Sequence, residues 1–509
     1  MHGVTQTLRE LLAGLKGCQV SGDDRLPVPG VAYHSQEVVP GGLFVALKGA
    51  QTDGHLFLDA ALNQGARVIV TEQDLTPPPG VTVVKVPDAR LALAHLAAAF
   101  YRHPSRELVL VGITGTNGKT TTTYILEAIL DAAGYHTGVV GTVNYRVGSR
   151  TWPAPVTTPE SLDLQKLLRE MQSQGVTHVF LEVSSHALDL KRVDCATFAA
   201  GVFTNLSQDH LDYHREMDEY FAAKSRLFLE LLANGHAAAA TAVLNLDDPK
   251  GEELHGRVRV PTLTYGLHPR SQVRPLSQSF RPHGLEARII TPAGELEINS
   301  RLVGPFNLAN ILAATATALA LGLSPEEVAR GIAALNGVPG RLERFGPPAG
   351  PSVFVDYAHT PVAVAQALHA LKTLDFARMI TVFGCGGDRD RSKRPLMGQA
   401  AAAASDLVVV TSDNPRTEEP LEIIREIEAG LKAIAFPRLT AAQAKSGDNG
   451  YLVVPDRREA IRLAVELARP GDAVLVAGKG HENYQIRGHK RFHFDDREEV
   501  QEALQEYHR

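Results

Sequence analysis

A glycine-rich stretch that ends in a lysine and a run of threonines is the first segment of the sequence that could do chemistry. It spans residues 114–121, follows an apolar run at 108–113 and opens a segment of helical character. Glycines let backbone N–H groups curl around phosphate oxygens, and a helix N-terminus adds partial positive charge. Lys119 would reach the β- and γ-phosphates, and the Thr120 hydroxyl would bind Mg²⁺. Ile113 stands where such loops usually have their first glycine, yet the context predicts ATP or GTP binding over a purely structural turn.

Two polar segments follow later apolar runs of the same section. Glu182 lies in the run at 178–183, and at the carboxyl edge of a parallel sheet its carboxylate would suit a phosphate-bound Mg²⁺. The alternative is that it caps the next helix. His210 and His214 are spaced like zinc-protease ligands, but a leucine replaces the glutamate after the first histidine, which excludes zinc hydrolysis. We expect instead that a histidine of this segment lies near a second Mg²⁺. The alternative for the segment is structural, with Asp209 as a helix cap.

Four further polar segments follow apolar runs in the last third of the chain. They comprise residues 356–361, 384–391, 413–416 and 478–482. The second begins like a dinucleotide fingerprint, but Arg389 stands where the third glycine should be, which argues against a redox role. Arg389 and Arg391 instead suit a carboxylate or phosphate. Arginines beside Asp and Glu in neighbouring loops predict a pocket for a zwitterion.

Apolar runs that alternate with helical segments must position these residues, and they divide the chain into three parts. We expect a small N-terminal α/β domain over 1–104, a central phosphate-loop domain over 105–338 and a C-terminal Rossmann-like domain over 339–509. Continuous apolar runs in the second and third parts are typical of strands buried on both faces of a parallel, doubly wound sheet. Residues 257–300 alternate in short segments and predict an antiparallel insertion. The fold class is α/β throughout.

Composition narrows the class of protein. The 509 residues carry 51 Lys plus Arg against 57 Asp plus Glu, a net charge of -6, which argues against a generic binder of nucleic acid or anionic membranes. The three cysteines are far apart in the sequence, which suits a reducing cytosol. The most apolar stretch, 311–323, is too short to span a bilayer. We therefore expect a cytoplasmic protein that binds small molecules, with no nucleic-acid partner and no membrane insertion. We also expect a monomer, which the composition does not address.

With these segments identified, essentially the whole chain resembles the Mur ligases, which build the peptide stem of peptidoglycan. The resemblance rests on TGTNGKTT at 114–121, EVSSHAL at 182–188, FTNLSQDHLDYH at 203–214, GPFNLANILAA at 304–314, GRLE at 340–343, DYAHTP at 356–361, DNPR at 413–416 and GKGHE at 478–482. It implies three domains that bind a uridine nucleotide sugar, ATP and an amino acid, and that close to bring the reacting atoms together.

The resemblance also implies roles for individual residues. For ATP it implies Gly115, Thr116, Asn117, Gly118, Lys119, Thr120, Thr121, Asn307, Arg341 and Asp356. For the nucleotide-sugar dipeptide it implies Ser35, Thr157, Thr158, Ser184 and Arg192, while Leu190 replaces a frequent glutamine. For the incoming amino acid it implies Arg389, Asp413, Asn414, Pro415, Arg416, Gly478 and Glu482. Mg²⁺ would be held by Thr120, Glu182, His210 and Lys224. Lys224 would act as a carbamate, although taken alone it is typical of a solvent-exposed helix lysine. Lys119, Glu182, His210 and Lys224 are the residues expected to act in catalysis.

The implied reaction is ATP-dependent amide-bond formation in peptidoglycan synthesis. The D-glutamyl carboxylate of UDP-MurNAc-L-Ala-D-Glu attacks the γ-phosphate, and the amine of the third amino acid attacks the resulting acyl phosphate. The DNPR segment resembles the variant associated with meso-diaminopimelate, whose distal carboxylate Arg416 would hold; L-lysine and L-ornithine are the alternatives. A folylpolyglutamate ligase and a non-catalytic phosphate-loop switch are rivals from other classes.

Overall fold

The structure is a computed structural model that describes residues 6–49, 52–208, 213–233, 240–347 and 350–507. The described residues form two compact units. The first comprises those of Met1–Arg274, Thr291–Ala293 and Leu312–Val328, and the second comprises those of Pro275–Ile290, Gly294–Ile311 and Ala329–Arg509. Both units mix helices with sheets, so the predicted α/β class is confirmed. No helix in the described ranges combines the length and the apolar character that a membrane span needs.

The first hundred residues build a five-stranded sheet within the first unit. Its strands are β1 (Gln19–Ser21), β2 (Val31–Ala32), β3 (Leu43–Val45), β4 (Val68–Thr71) and β5 (Thr82–Lys85), in the order β1-β5-β4-β3-β2. Only β1 pairs antiparallel. The helices are α1 (Leu8–Leu12), α2 (Leu58–Asn63) and α3 (Ala89–Phe100). Asp88 caps α3 by accepting from Leu91 N, and the helix buries Leu93 and Leu96 in the core that β3 and β4 share.

An eight-stranded sheet forms the centre of the first unit. Its strands are β6 (Val109–Thr114), β7 (Thr137–Val140), β8 (Asn144–Val147), β9 (Arg150–Pro153), β10 (His178–Glu182), β11 (Ala200–Phe203), β12 (Thr241–Asn245) and β13 (Thr262–Tyr265), in the order β13-β12-β11-β6-β10-β7-β8-β9. The strands from β13 to β7 are parallel, and β8 and β9 extend one edge antiparallel. The register pairs Ile113 with Glu182 and Thr114 with Phe203, so the segments after β6, β10 and β11 are neighbours.

Helices cross between these strands. They are α4 (Lys119–Ala132), α5 (Ser161–Ser173), α6 (Ser185–Asp189), α7 (Met217–Arg226) and α8 (Pro249–Arg257), and a π-helical turn, Leu227–Leu231, continues α7. α4 begins at Lys119, directly after the last glycine of the glycine-rich stretch, because Gly118 has φ 88° and turns the chain into the helix. The predicted order of buried strand, glycine-rich turn and helix is thereby confirmed.

The predicted antiparallel insertion at 257–300 is correct only in part. β13 lies inside that range but is a parallel edge strand of the central sheet, because its residues pair with β12. The remainder forms a separate sheet of β14 (Arg274–Arg281), β15 (Gly284–Thr291) and β16 (Gly294–Ser300), in that order. Two residues join each consecutive pair, which only antiparallel neighbours allow. Two helices follow, α9 (Pro305–Ala320) and α10 (Pro325–Ala334).

A six-stranded sheet organises the second unit. Its strands are β17 (Glu343–Phe345), β18 (Ser352–Asp356), β19 (Met379–Phe383), β20 (Leu407–Val410), β21 (Gly450–Val453) and β22 (Ala473–Ala477), in the order β17-β18-β22-β19-β20-β21. Only β17 is antiparallel. A hairpin of β23 (Tyr484–Arg487) and β24 (Lys490–His493) follows. The helices are α11 (Pro361–Lys372), α12 (Lys393–Ala402), α13 (Pro420–Ala433), α14 (Ala441–Ser446), α15 (Arg457–Leu467) and α16 (Asp496–Tyr507).

Side chains alternate across this sheet and build a core on each face. Phe354 and Leu475 join one apolar cluster with residues of α11 to α13, whereas Val355 and Val476 join another with residues of α15 and α16. A parallel sheet covered on both faces is doubly wound, as predicted. The four predicted polar segments follow β18, β22, β19 and β20, which are consecutive in the sheet. They are therefore adjacent at one edge.

Candidate active site

Glycine at position 115 is required by the loop after β6. Gly115 has φ 145°, and a Cβ there would lie 1.9 Å from Thr204 Oγ1 and 2.9 Å from both the N and the O of Asn205. No side chain fits in that space or adopts that φ without strain. The loop therefore packs directly against the segment after β11. It leads into the first turn of α4, whose N–H groups have no helical acceptors and suit phosphate oxygens.

Asn205, which follows the neighbouring strand β11, holds this loop through hydrogen bonds. Its Oδ1 accepts from Asn117 N (3.0 Å), its Nδ2 donates to Asn117 O (3.1 Å) and its backbone O accepts from Thr116 N (2.8 Å). Thr204 Oγ1 donates to the same Asn117 O (2.6 Å). The sequence predicted ligand-binding groups in this segment, but it did not predict the hydrogen bonds between Asn205 and the phosphate loop. The signal was a Thr-Asn pair directly after a strand that neighbours β6.

Lys119 and Lys224 converge on one peptide oxygen. Lys119 Nζ donates to Gly115 O (2.8 Å) and Thr116 O (2.9 Å), and Lys224 Nζ donates to Gly115 O (3.0 Å). Lys224 is 1% exposed, and its Nζ lies 4.4 Å from the centre of the Tyr220 ring. The interpretation of Lys224 as a solvent-exposed lysine is therefore wrong, because α7 turns it inward. Two ammonium groups at one carbonyl repel each other, so an anion between them, or conversion of one into an anion, would stabilise the site.

Glu182 lies against the start of α4. It is 1% exposed, and its Oε2 accepts from Thr120 Oγ1 (3.0 Å) and Thr142 Oγ1 (2.9 Å). A Cβ at Gly141 would lie 2.3 Å from Glu182 Oε1, so glycine makes room for this carboxylate. Ser184 caps α6 by accepting from the N–H three residues later. The alternative in which Glu182 caps that helix is therefore wrong.

Hard oxygen donors for Mg²⁺ are present here. The Thr120 hydroxyl and the Glu182 carboxylate are of the type that Mg²⁺ prefers. Lys224 as an ammonium cannot ligate a metal, whereas its carbamate would add an anionic oxygen to this set. His210 and Asp209 lie outside the described residues. Within the described ranges no group of three or more His, Cys, Asp or Glu side chains could hold a metal ion, so Mg²⁺ bound here would take further oxygen ligands from phosphates and water.

The predicted contacts of the nucleotide-sugar dipeptide cluster next to Glu182. Thr157 Oγ1 lies 3.1 Å from Thr142 Oγ1, which binds the carboxylate. Thr158 Oγ1 donates to Glu182 O (2.8 Å) and accepts from Ser184 N (3.1 Å). Arg192 Nη1 donates to the Thr158 carbonyl (3.1 Å). The structure thus brings Thr157, Thr158, Ser184 and Arg192 together beside the phosphate loop.

Ion pairs connect this cluster to the N-terminal sheet. Glu160 Oε2 lies 3.4 Å from Arg192 Nε and 3.2 Å from Nη1 of Arg90, a residue of α3. Tyr33 donates its hydroxyl proton to Asp163 (2.6 Å), and burial together with this carboxylate raises the pKa of Tyr33. Ser35, the predicted uridine contact, lies in the short helical turn Ser35–Glu37 after β2. An ion pair and a hydrogen bond therefore connect the N-terminal part of this unit to its central part.

Three residues predicted to lie near the nucleotide belong to the second unit. They are Asn307, Arg341 and Asp356. Asp356 ends β18, and each of its oxygens accepts a backbone N–H at 2.8 Å. Burial raises the pKa of Asp356 and the nearby Arg341 charge opposes that rise. Asn307 is 1% exposed, and its Nδ2 donates to a backbone carbonyl before α9 (2.8 Å). The structure brings Arg341 and Asp356 together, and it gives Asn307 a role in the start of α9.

The loops after β20 and β22 surround one buried lysine with acids. Lys479 is fully buried, and its Nζ donates to Asn414 Oδ1 (3.0 Å) while lying 3.4 Å from Asp413 Oδ1 and 3.7 Å from Glu482 Oε2. Asn414 Nδ2 donates to Glu482 Oε2 (3.0 Å). Burial, followed by the Asp413 charge, raises the pKa of Glu482. Gly478 turns the chain at φ 122°, close to the Asp413 carboxylate. This cluster contains the acids that the sequence predicted for an amino-acid pocket.

The two arginines predicted for the same pocket lie in the neighbouring loops after β19 and β20. Arg416 has φ 53°, and the hairpin of β23 and β24 holds its backbone through two hydrogen bonds (3.1 and 2.6 Å). Its Nη1 donates to Gly387 O (2.7 Å). A Cβ at Gly386 would lie 2.9 Å from Arg416 Nη1 and 3.7 Å from Cγ of the exposed Arg389. A Cβ at Gly387 would lie 1.9 Å from Pro415 O. The loop after β19 and the loop after β20 therefore pack with their backbones in contact. Both predicted arginines lie beside Gly386.

Two fully buried arginines that sequence reasoning did not single out fasten these loops. Arg394 pairs with Glu418 (2.7 Å) and Glu426 (2.9 Å), and its guanidinium lowers the pKa of Glu418 to about 2. Arg457 donates to both oxygens of Asp496 (2.7 Å each) and to carbonyls at the end of β22 (3.0 Å) and just after β20 (3.3 Å). Arg394 thus fixes the loops after β19 and β20, and Arg457 fixes the starts of those after β20 and β22.

Comparison with known families decides the class of protein. The descriptions Mur ligase family, catalytic domain; Mur ligase middle domain; and Mur ligase, glutamate ligase domain match residues 27–101, 113–318 and 340–480. The chain belongs to the Mur ligase family. As a Mur ligase it is an ATP-dependent ligase, so the predicted family and enzyme class are confirmed. This class does not include the non-catalytic switch considered from the sequence.

Individual relatives agree with this assignment. The chain is 49% identical over 502 residues to a Geobacter metallireducens protein named UDP-N-acetylmuramoyl-L-alanyl-D-glutamate--2,6-diaminopimelate ligase, with 98% of each covered. A Geobacter sulfurreducens protein of the same name is 46% identical, with 97% of each covered. A solved structure of a ligase of that name has a TM-score of 0.72 and 32% identity over 99% of this chain and 100% of that one, which confirms the predicted fold. A Mycobacterium tuberculosis folylpolyglutamate synthase (TM-score 0.61, 19% identity) shares the fold over 77% of this chain and 93% of that one. The folylpolyglutamate alternative is not favoured.

Proposed function

We propose that this Mur ligase joins meso-2,6-diaminopimelate to the D-glutamyl carboxylate of UDP-MurNAc-L-Ala-D-Glu, with cleavage of ATP to ADP and phosphate. Relatives that match nearly the full length carry the name of the 2,6-diaminopimelate ligase. The observation that carries the choice of amino acid is the position of charged groups in neighbouring loops: Arg389 and Arg416 lie beside Gly386, while Asp413 and Glu482 lie near Lys479. A diamino dicarboxylate could pair with both groups at once, because its distal carbon bears a carboxylate as well as an ammonium.

In the first chemical step the D-glutamyl carboxylate attacks the γ-phosphate of ATP, which gives an acyl phosphate and ADP. We infer that the loop at 115–121 holds the phosphates and that the Lys119 ammonium leaves its present carbonyl partners to offset charge on the transferring group. Thr157, Thr158, Ser184 and Arg192 lie in one cluster beside Glu182. They would align the acceptor carboxylate with this loop, while Ser35 would hold the uridine end.

Mg²⁺ would be held by Thr120, Glu182, His210 and a carbamate on Lys224, and it would neutralise charge on the phosphates. The burial of Lys224 and its approach to the carbonyl that Lys119 contacts support the carbamate, because an anion there removes the repulsion between two ammonium groups. Asn307, Arg341 and Asp356 would complete the nucleotide site.

In the second step the neutral amine of diaminopimelate attacks the acyl carbon, the amide forms and phosphate leaves. Asp413 and Glu482 would bind the ammonium that does not react. Arg416 and Arg389 would bind the distal carboxylate, to which an arginine can offer two parallel N–H donors. Asn414, Pro415 and Gly478 would shape the same pocket. L-Lysine and L-ornithine lack this carboxylate and would leave both arginines without an anion.

The organisation of the protein extends this proposal. We propose domains at 1–104, 105–338 and 339–509 that bind the nucleotide sugar, ATP and the amino acid respectively. A monomer in the cytoplasm suits substrates that are small and soluble. We propose that the three domains close when the substrates bind, which would bring the reacting atoms together.

The experiment is phosphate release from ATP in the presence of UDP-MurNAc-L-Ala-D-Glu and one amino acid at a time. Release with meso-diaminopimelate, and none with L-lysine or L-ornithine, is the expected result. In the Arg416→Ala variant the KM for diaminopimelate should rise at least a hundredfold while the KM for ATP stays within twofold. Release with L-lysine alone would reject the proposed specificity. No release with any amino acid would reject the reaction.

The carbamate has a test of its own. Protein equilibrated with ¹³C-bicarbonate should give a carbamate carbon signal in the NMR spectrum that is absent from Lys224→Ala. The variant should lose activity that bicarbonate does not restore and that a short carboxylic acid restores in part, because such an acid can place an oxygen anion in the vacated space. An unchanged signal in the variant would reject the assignment to Lys224.

A further inference from the structure

We propose that Lys479 is a positioning residue for amino-acid recognition: it fixes the Asn414 amide with its NH₂ group toward Glu482 and keeps Glu482 charged to receive the substrate ammonium. The inference rests on the proposed function, because it concerns the pocket that would take the diaminopimelate. It adds a residue that touches no part of the substrate and acts through Asn414, Asp413 and Glu482.

The position of Lys479 excludes a direct role in binding. Its side chain has 0% exposure, and its Nζ donates to the Tyr484 carbonyl (2.6 Å) and to Asn414 Oδ1 (3.0 Å). The ammonium is thus enclosed by the chain between β22 and β23 and by the loop after β20. A buried ammonium without anions nearby would be costly. The two carboxylates at 3.4 Å and 3.7 Å, those of Asp413 and Glu482, offset that cost.

Hydrogen-bond chemistry fixes the orientation of the Asn414 amide. One end of the amide faces Lys479 Nζ (3.0 Å) and the backbone N–H of Ile486 (3.0 Å). Both of these groups are donors only, so the atom that faces them must be the amide oxygen. The NH₂ group therefore faces Glu482 Oε2 (3.0 Å) and retains a second proton for a ligand. Asn414 is in this way a donor toward the pocket, suited to a carboxylate oxygen.

The charge of the lysine acts on Glu482 as well. Burial and the Asp413 carboxylate raise the pKa of Glu482, while Lys479, the Asn414 hydrogen bond and Arg416 lower it. The Glu482 charge also raises the pKa values of nearby groups, namely Tyr357, Tyr484 and the buried Arg457. Without the Lys479 ammonium, two close carboxylates would remain in a buried site, and Glu482 would take up a proton at higher pH. A protonated Glu482 binds an ammonium poorly.

The test is the pH dependence of the KM for diaminopimelate in Lys479→Met, which keeps the length of the side chain and removes its charge. At pH 7 the KM should exceed that of the wild type at least tenfold, with the KM for ATP within twofold. The ratio of the two diaminopimelate KM values should fall as pH rises, because Glu482 regains its charge. The ratio cancels the titration of the substrate's own amines. A ratio that does not change with pH, or an equal rise in every KM, would overturn the inference.

Asn414→Asp keeps the lysine and supplies a second readout if Lys479→Met does not fold. Its new oxygen would face Glu482 Oε2, where the amide donated at 3.0 Å. A proton shared by the two carboxylates can replace the lost N–H, so the KM ratio for this variant should fall as pH is lowered, opposite to Lys479→Met. The same trend in both variants would reject the fixed amide orientation.

A matched control and the wild type separate the possible failures. Lys445 is an exposed lysine that pairs with Glu466 on the surface of the second unit, and Lys445→Met should behave as wild type. If wild-type protein shows no diaminopimelate-dependent phosphate release, the proposed function fails. If wild-type protein is active and Lys479→Met matches it at every pH, only the role of Lys479 fails.

Discussion

Replacing Asn205 by alanine should weaken ATP binding without unfolding the protein. Asn205 makes two side-chain hydrogen bonds to Asn117, at 3.0 Å and 3.1 Å, and these tie the phosphate loop to the end of β11. Its backbone bond to Thr116 N survives the substitution. The core of the central sheet is untouched, because Asn205 lies beyond the last strand residue, Phe203. The loss should therefore appear in the loop rather than in global stability.

The magnitude follows from those two bonds. Each contributes about 0.5–1.5 kcal/mol net, so about 1–3 kcal/mol of loop positioning is lost. If this energy holds the loop in its binding conformation, the affinity for nucleotide falls by the same factor, about 5- to 150-fold. Asn117 is exposed and water can replace part of the lost bonding, so we expect a fall in affinity in the lower half of that range.

Titration calorimetry with ADP, together with the KM for ATP, measures this loss. Asn63→Ala is the matched control, since Asn63 is exposed at the end of α2 in the same unit and should leave both values unchanged. The KM for diaminopimelate should stay within twofold in both variants. An ADP affinity within twofold of wild type for Asn205→Ala would refute the role of these bonds. A fall in melting temperature of more than a few degrees would show that the residue supports the fold instead.

Three further predictions concern single substitutions. Gly141→Ala places a Cβ 2.3 Å from the wild-type Glu182 Oε1 position, so kcat should fall at least tenfold in the phosphate-release assay while nucleotide-free stability changes little. Hydrogen bonding to Arg394 lowers the pKa of Glu418 from 4.5 to about 2, so its ionised form adds stability above pH 4.5 that is lost as pH falls toward 2; acid unfolding followed by circular dichroism should show a smaller loss over this window for Glu418→Gln. Arg457→Met leaves a buried carboxylate unpaired and should cost about 3–5 kcal/mol in urea unfolding, and a loss below 1 kcal/mol would contradict the role of this pair.

The sequence predicted best those features that depend on strand ends. Continuous apolar runs marked β6, β10, β19, β20 and β22, and each was followed by polar residues that the fold brings to a sheet edge. The reason is geometric, because the carboxyl ends of parallel strands meet at one edge whatever the loops do. Glu182 is an example: its place beside the first turn of α4 follows from the pairing of Glu182 with Ile113.

Features that depend on tertiary packing could not be predicted in this way. Lys224 lies in a polar stretch of helix whose composition favours exposure, and only the packing of α7 buries it. β13 was assigned to the antiparallel insertion because a short edge strand carries no sign of the sheet to which it pairs. Arg394 and Arg457 were passed over for a related reason. Arginine is usually exposed, and its burial depends on carboxylates 24 and 39 residues away, those of Glu418 and Asp496.

The side chains that hold the loops have a shared physical origin. Beyond the last paired residue of a strand, the backbone has no ladder partner, yet its polar groups still need hydrogen bonds. Asn205, Arg394 and Arg457 supply such bonds to loops at sheet edges. The groups they hold belong to ligand-binding segments as well as to the fold. The effect of a substitution at these positions therefore depends on burial. Replacing the half-buried Asn205 should alter the affinity for nucleotide at little cost in stability. Replacing either buried arginine should alter both ligand affinity and stability, since it would leave a carboxylate without its partner.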